Sequence, residues 1–445
     1  MRIQLSDHFT YGKLIRFTMP TMAMMIITSI YGVVDGFFVS NFAGKTPFAA
    51  VNLIMPYIMI FSTVGFVFGT GGSAIVAKTM GEGDRERANR HFSLFVYVSF
   101  ALGVLFAVVG ILLVRPIALL LGAEGALLEN AVLYARIILT VLPFNTLQFM
   151  FQPFFSTAER PQLGLVTTVS SGVMNVASDA LLVLLLPMEY KLIGAAIATA
   201  MSQVVGAVIP LIYFGRENGS LLRIGRTRFD GRAVLKACTN GSSEFMTTVS
   251  MSVVGMLYNV QLMQYAGEDG VAAYGVMMYV SMIFSAMFVG YSIGVAPVFG
   301  YHDGAKGYDE LKSLLKKSVV LLGCFGICMV AAGELLALPL ARLFVGYDAE
   351  LTALTVSGFR IFAVSFLFMG YAIFGSGFFT ALNDGVTSAI ISFLRTLVFQ
   401  IAAVLLLPLV FEIDGIWYSI IVAEFMAMAL SAVFVVAKRE KYHYL

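Results

Sequence analysis

Two stretches of this chain, 46–77 and 270–301, each run 32 residues without an Asp, Glu, Lys, Arg or His. At 1.5 Å per residue, either is long enough to cross the ~30 Å hydrocarbon core of a bilayer as a helix. Residues 92–114, 192–215 and 361–383 are also free of charge. Strands of a membrane barrel would be about 10 residues of alternating polarity, and no such alternation appears. Helices are the remaining way to satisfy the backbone in lipid. The whole chain agrees: 59% of its residues are hydrophobic and 12% charged, against about a quarter charged in a soluble domain.

The apolar runs predict twelve helices, near 14–40, 48–77, 92–114, 130–154, 162–187, 193–215, 237–264, 271–300, 317–341, 351–380, 386–411 and 415–437. An even number of crossings puts both termini on one side. That side holds 21 of the 28 Lys and Arg, and the opposite side only Lys45, Arg115, Lys191 and Arg342. The remaining three, Arg136, Arg360 and Arg395, fall inside spans. The excess of cations marks the cytoplasmic side, so both termini are expected there, in a cell's inner (cytoplasmic) membrane. The polar start, MRIQLSDHFTYGKLIRF, lacks a short apolar core with a small-residue cleavage site and is read as leading into the first span, not as a signal peptide.

Sliding the chain on itself by 223 residues exposes a repeat. AGKTPFAAVNLIMPYIMIFS (43–62) falls on AGEDGVAAYGVMMYVSMIFS (266–285), and 11 of 39 positions match across 43–81 and 266–304. The match returns as FFSTAERP (154–161) on FFTALNDG (378–385) and LLLP (184–187) on LLLP (405–408). The expected fold is therefore an all-α polytopic membrane protein of twelve transmembrane helices in two six-helix lobes related by a pseudo-twofold axis. The boundaries are an amino-terminal lobe 1–215, a basic linker 216–236 and a carboxy-terminal lobe 237–445. Transporters built this way bind substrate between the lobes and rock one against the other.

Ionisable groups inside spans are expensive and point to function. Asp35 in the first helix and Asp179 in the fifth lie at similar depth. Asn175 is one turn before Asp179, and Thr199 of the sixth helix can add a hydroxyl. Two carboxylates close together in lipid cannot both stay charged cheaply, so the group is read as a site for a coupling ion, a proton or Na⁺ held at Asp35, Asn175 and Asp179. The competing reading is a polar network that locks three helices together. The second repeat has neither acid: Asp35 corresponds to Tyr258, and Asp179 falls opposite 400–403. Glu244 opens the seventh helix, facing either the cavity or the helix dipole. Glu424 is expected to pair with Arg395. Pro20 can hinge the first helix. Tyr31, Gln148, Gln152, Asn259, Met277, Met278 and Met282 are candidates to line a substrate cleft, since methionine suits promiscuous binding.

No phosphate loop, zinc motif or nucleophile elbow is present, so no enzyme is expected. GTGGSA (69–74) is read as close helix packing. Cys238, Cys324 and Cys328 are read as small hydrophobes, not metal ligands, and nothing points to nucleic acid, to a bound cofactor or to an oligomer beyond a monomer. All four histidines fall at the cytoplasmic edge.

Length, the six-plus-six repeat, Pro20 and Asp35 in the first helix, and Asn175-x3-Asp179 in the fifth resemble the multidrug and toxic-compound extrusion (MATE) family. AAIATAMSQ (195–203) and AKTMGEGDRERA (77–88) also resemble family segments. The resemblance implies export of organic cations and amphipathic drugs against inward H⁺ or Na⁺, with Asp35, Asn175, Asp179 and Thr199 as the amino-terminal ion site. Two departures stand out: no acid lies mid-span in the tenth helix, and Ala180 follows Asp179 where relatives commonly carry proline. A lipid-linked-saccharide flippase of the same wider fold group is the alternative. It would want a strongly cationic central cavity.

Overall fold

Thr10 starts the first span by accepting a hydrogen bond from the Lys13 backbone N–H, which satisfies one of the orphan donors of a helix N-terminus. The computed structural model describes residues 3–444, apart from the side chains of Phe37, Ser40 and Asn41. Helix α1 is Tyr11–Phe38, closing in a π-helical turn at Val39–Ala43. α2 is Lys45–Gly81, α3 Arg85–Leu120, α5 Pro161–Leu185 and α6 Lys191–Gly215. α4 is one span in two parts, Gly125–Thr140 and Leu142–Thr157, bent by 60°. Pro143, which donates no N–H, opens the second part.

The second lobe repeats this plan. The longest helical segment, Gly231–Gly304, breaks at Gly267, where φ is 62° and ψ −150°. Gly44, its equivalent in the first repeat, has φ 102° at the α1–α2 turn. The shared Ala-Gly of the repeat is thus the turn itself, at a φ that side chains other than glycine rarely adopt. Division there gives α7 (231–266) and α8 (268–304). α9 is Tyr308–Val345, and α10 is Ala349–Ala363 with Phe366–Ala381, bent by 50°. α11 is Gly385–Leu406, with a π-helical turn at Leu394–Val398. α12 is Pro408–Ala437, broken near its start at Glu412, where φ is 51° and ψ −129°. Nine helices of the described residues are long and apolar enough to span, and the two bent pairs raise that to eleven. The division at Gly267 makes the twelfth. The fold is the all-helical polytopic one expected.

The helices overrun their apolar cores. α3 begins at Arg85, capped by Asp84, seven residues before its uncharged run. α7 begins at Gly231, capped by Asp230, inside the stretch read as linker. Lipid demands apolar side chains, but a helix continues into water wherever its caps are met.

The lobes meet at the end of the molecule that carries both termini. Gly71 of α2 packs against the Ala237 carbonyl of α7, and Gly241 of α7 against Val67. On the other side of the pseudo-twofold, a Cβ at Gly290 of α8 would lie 2.5 Å from Met22 Cα, and one at Gly294 3.3 Å from Thr18. Gly81 lies against the Tyr301 carbonyl and Gly304 against that of Lys78, a reciprocal pair. Small residues let these backbones approach closely, as the GTGGSA run implies. Lys78 and Asp303 bridge the seam at 2.8 Å. Asn383 Nδ2 donates to the Ala74 carbonyl at 3.2 Å.

Candidate functional site

In the first lobe, Asp35 of α1 and Asp179 of α5 are close electrostatic neighbours, with Asn175 beside them. Thr199 Oγ1 of α6 donates to Asp35 Oδ1 at 3.0 Å, and also lies 3.1 Å from its own helix's Ala195 carbonyl. Asp179 and Asn175 are buried. Among the described residues, no donor bonds either oxygen of Asp179 or Asn175 Oδ1. A buried carboxylate without donors is costly unless it is protonated or holds a cation. The structure thus places Asp35, Asn175, Asp179 and Thr199 beside one another.

Tyr134 of α4 completes the group, and sequence reading missed it. It is fully buried next to Asp35, Asp179 and Thr199, with its hydroxyl turned toward Thr199. The only signal was a polar tip inside an apolar span. Among the described residues no cluster of three or more His, Cys, Asp or Glu suits a metal ion. A cation here would rely on two carboxylates plus amide and hydroxyl oxygens, a hard-oxygen set of the kind alkali ions accept.

The cavity lies mainly in the second lobe. It holds about 630 Å³ and is lined from α2, α4, α7, α8, α10, α11 and α12. Glu244, Asn259, Met278 and Met282 line it. Met277 does not: one residue from Met278, it is turned about 100° away and fully buried. Tyr31, Gln148 and Gln152 do not line it either. Tyr31 packs on Gly172, and Gln148 Nε2 lies 3.3 Å from Ser171 Oγ, so both belong to the interior of the first lobe. Gln152 is buried, and among the described residues its Oε1 has no partner. The rotation of a helix about its axis, which spacing alone does not fix, decided these cases.

Two further pairs face the cavity. Tyr258 donates to Gln400 Oε1 at 2.7 Å and stacks on Tyr274 with centroids 5.1 Å apart. Arg395 and Glu424 form the expected ion pair, at 2.9 Å. Pro20 lies inside an unbroken α1, between Thr18 and Met22, where that helix meets α8.

Six crossings repeated, a carboxylate pair sunk in one lobe and a cavity open away from the seam define a polytopic membrane transporter of two lobes. The MatE family model matches residues 20–181 and 245–406, once per repeat, and the chain belongs to the MatE family of transporters. It is not an enzyme. The multidrug export protein MepA of Staphylococcus saprophyticus is 24% identical over 433 residues, covering 96% of this chain and 93% of its own. MepA of Staphylococcus haemolyticus is 24% identical over 436 residues, 97% and 94% of the two chains. A MATE transporter crystallised in complex with MaL6 superposes with TM-score 0.92 at 20% identity, over 98% of each chain. An outward-facing multidrug resistance MATE family transporter of the MOP superfamily gives 0.91 at 21%, again over 98% of each. At that identity the structures speak for the fold.

Proposed function

We propose that this chain exports drug-like organic cations and amphipathic compounds in exchange for inward H⁺ or Na⁺, by alternating access of its two lobes. Asp35, Asn175, Asp179 and Thr199 take the coupling ion, and the second-lobe cavity takes the drug. The observation that carries the reading is the pair of adjoining carboxylates, Asp35 and Asp179, placed in one lobe and absent from the equivalent positions of the other. A lock between helices has no need of two acids, and an ion site does.

The relatives' name, multidrug export protein, supports the substrate class. The cavity supports it too. Its wall is largely methionine, tyrosine and small polar residues, with Glu244 near its floor, a surface suited to varied apolar cations. The termini and the cation-rich loops are taken as cytoplasmic, so the conformation described faces outward. Ion binding at Asp35 and Asp179 and drug binding in the cavity are coupled through their different affinities for the two conformations.

The test is efflux of ethidium from cells expressing wild type or Asp35→Asn, with the H⁺ and Na⁺ gradients dissipated separately. Flux that needs one gradient and disappears in the variant at equal expression is expected. Gradient-independent flux, or an Asp35→Asn protein that still couples, would sink the reading.

A further inference from the structure

Arg395 holds Glu424 with two nitrogens. Nε lies 3.2 Å from Oε1 and 2.9 Å from Oε2, and Nη2 donates to Oε1 at 3.0 Å. Both residues line the cavity, and their side chains are only 16% and 4% exposed. The pair therefore sits in the cavity wall, away from bulk water.

Its height can be read from the helices. Asn240 of α7 and Asn383 at the start of α11 are at one level, joined by a 2.6 Å hydrogen bond. Glu244 lies four residues beyond Asn240, and Arg395 twelve beyond Asn383. Eight extra residues at 1.5 Å each put Arg395 about 12 Å further from the closed seam than Glu244. The cavity thus has two carboxylates in series: Glu244 near the floor and Glu424 part-way to the mouth. Glu244 has no ion-pair partner among the described residues, whereas Glu424 is clasped by an internal cation.

A carboxylate in a largely apolar wall attracts a permeant cation strongly, because little water competes. A guanidinium forked onto it cancels that attraction. The clasp comes from an unusual piece of backbone. Arg395 lies within the π-helical turn Leu394–Val398. A π turn carries one residue more than an α turn, and such turns recur at functional sites. Returning this turn to α register rotates one part of the helix against the other by about 100°, enough to lift Arg395 off Glu424.

We propose that Glu424 is a second cation-binding carboxylate for the transported substrate, and that Arg395 is its built-in competitor, covering it in the cleft-open conformation and uncovering it when α11 changes register. The proposal rests on the exporter reading above. A ligand responds to a conformational change only through its different affinities for the two states. Covering Glu424 in the state open away from the seam supplies such a difference: the cavity loses a counter-charge where the drug is to leave. A pair that merely ties α11 to α12 would cost stability when broken and would never tighten binding.

The test is ethidium binding to the purified full-length protein, read by fluorescence anisotropy, with thermal unfolding in parallel. The variants are R395Q, E424Q and R395Q/E424Q. R395Q is expected to bind about tenfold tighter than wild type, because an uncovered carboxylate stays in the wall. The gain disappears in R395Q/E424Q, and ethidium efflux by R395Q slows because release slows. Equal affinity of folded R395Q and wild type overturns the proposal. Where R395Q does not fold, R395M carries the test, since it keeps much of the apolar stem and gives up the charge: severalfold tighter binding supports the covering role, and unchanged binding overturns it. A wild type that neither binds nor moves ethidium overturns the exporter reading, and the proposal with it. Wild-type binding with R395Q and R395M unchanged overturns the covering role alone.

Discussion

Tyr258 donates its phenol proton to Gln400 Oε1 at 2.7 Å; in the internal repeat Tyr258 stands where Asp35 does, and Gln400 opens the 400–403 stretch that falls opposite Asp179. Repeat-equivalent helices thus carry two acids on one side of the pseudo-twofold and a neutral hydrogen-bonded pair on the other. The neutral pair has what a structural tie needs: a donor, an acceptor and a stacked neighbour in Tyr274. Tyr258→Phe should therefore cost about 1 kcal/mol of thermal stability, the worth of one hydrogen bond. It should leave the ion dependence of efflux intact even if KM moves. Efflux by Tyr258→Phe that no longer needs a gradient would mean that coupling is shared by both lobes.

The seam glycines make a second prediction. A methyl group at Gly71 runs into the Ala237 carbonyl, which is backbone and cannot swing aside. At Gly294 the added carbon would lie 3.3 Å from Thr18 atoms, a contact that a small shift relieves. Gly71→Ala should disfavour the conformation closed at the terminal end by about 1–3 kcal/mol, and Gly294→Ala by less. Spin labels on the two lobes at that end would report it. Gly71→Ala should move the distance distribution to longer values, and an unchanged distribution would count against the seam as the closing contact.

Much of this was legible in the chain because it is local. Spans, turns and repeat follow from runs of apolar residues and from glycine, and Thr199 meets Asp35 as its position in the sixth helix implied. Side chains whose role depends on the rotation of a helix were not legible. Gln148 and Gln152 share a face of α4, but nothing in their spacing says that this face looks into the first lobe and not into the cleft. Met277 and Met278 differ by one residue and by burial against exposure to the cavity. Tyr134 was hidden for a related reason: in an apolar span a tyrosine is packing until its hydroxyl is seen beside two carboxylates.

The segment ahead of α1 ties the lobes together at the terminal end. Leu5 N–H donates to Glu159 of the first lobe at 2.8 Å. Four residues on, Phe9 N–H donates to Glu310 Oε1 of the second at 2.9 Å, and the Lys317 ammonium binds the Phe9 carbonyl. Leu5 and Phe9 are both fully buried. Opening the seam must break one set of these bonds. Phe9→Ala removes a buried ring, worth about 3 kcal/mol or more in a packed site, and should raise amide exchange over residues 3–9 together with the population open at this end. Exchange as slow as in wild type would show that the segment is held by its hydrogen bonds alone.

Asp384 gives the clearest dependence on pH outside the membrane. It caps α11 by accepting from the Thr387 N–H at 3.3 Å, and Lys438 and the Tyr442 hydroxyl hold it at 2.6 and 3.0 Å. Burial alone would push its carboxyl up, but the hydrogen bonds from Lys438, Tyr442 and Thr387 outweigh burial and hold it below the usual range. A folded-state value below that of the unfolded chain, about 3.9 for Asp, stabilises the fold fully above the unfolded value. The stabilisation is lost as pH falls through the folded one. Asp384→Asn keeps the cap and gives up the charge, so at pH 7 it should unfold with about 1–2 kcal/mol less stability. The deficit should shrink once the pH drops below about 3.9 and vanish below the folded-state value. Thermal unfolding of the two proteins in detergent from pH 7 downward separates the cases: a deficit that stays constant with pH assigns the loss to packing, and one that closes in acid assigns it to the Lys438 ion pair.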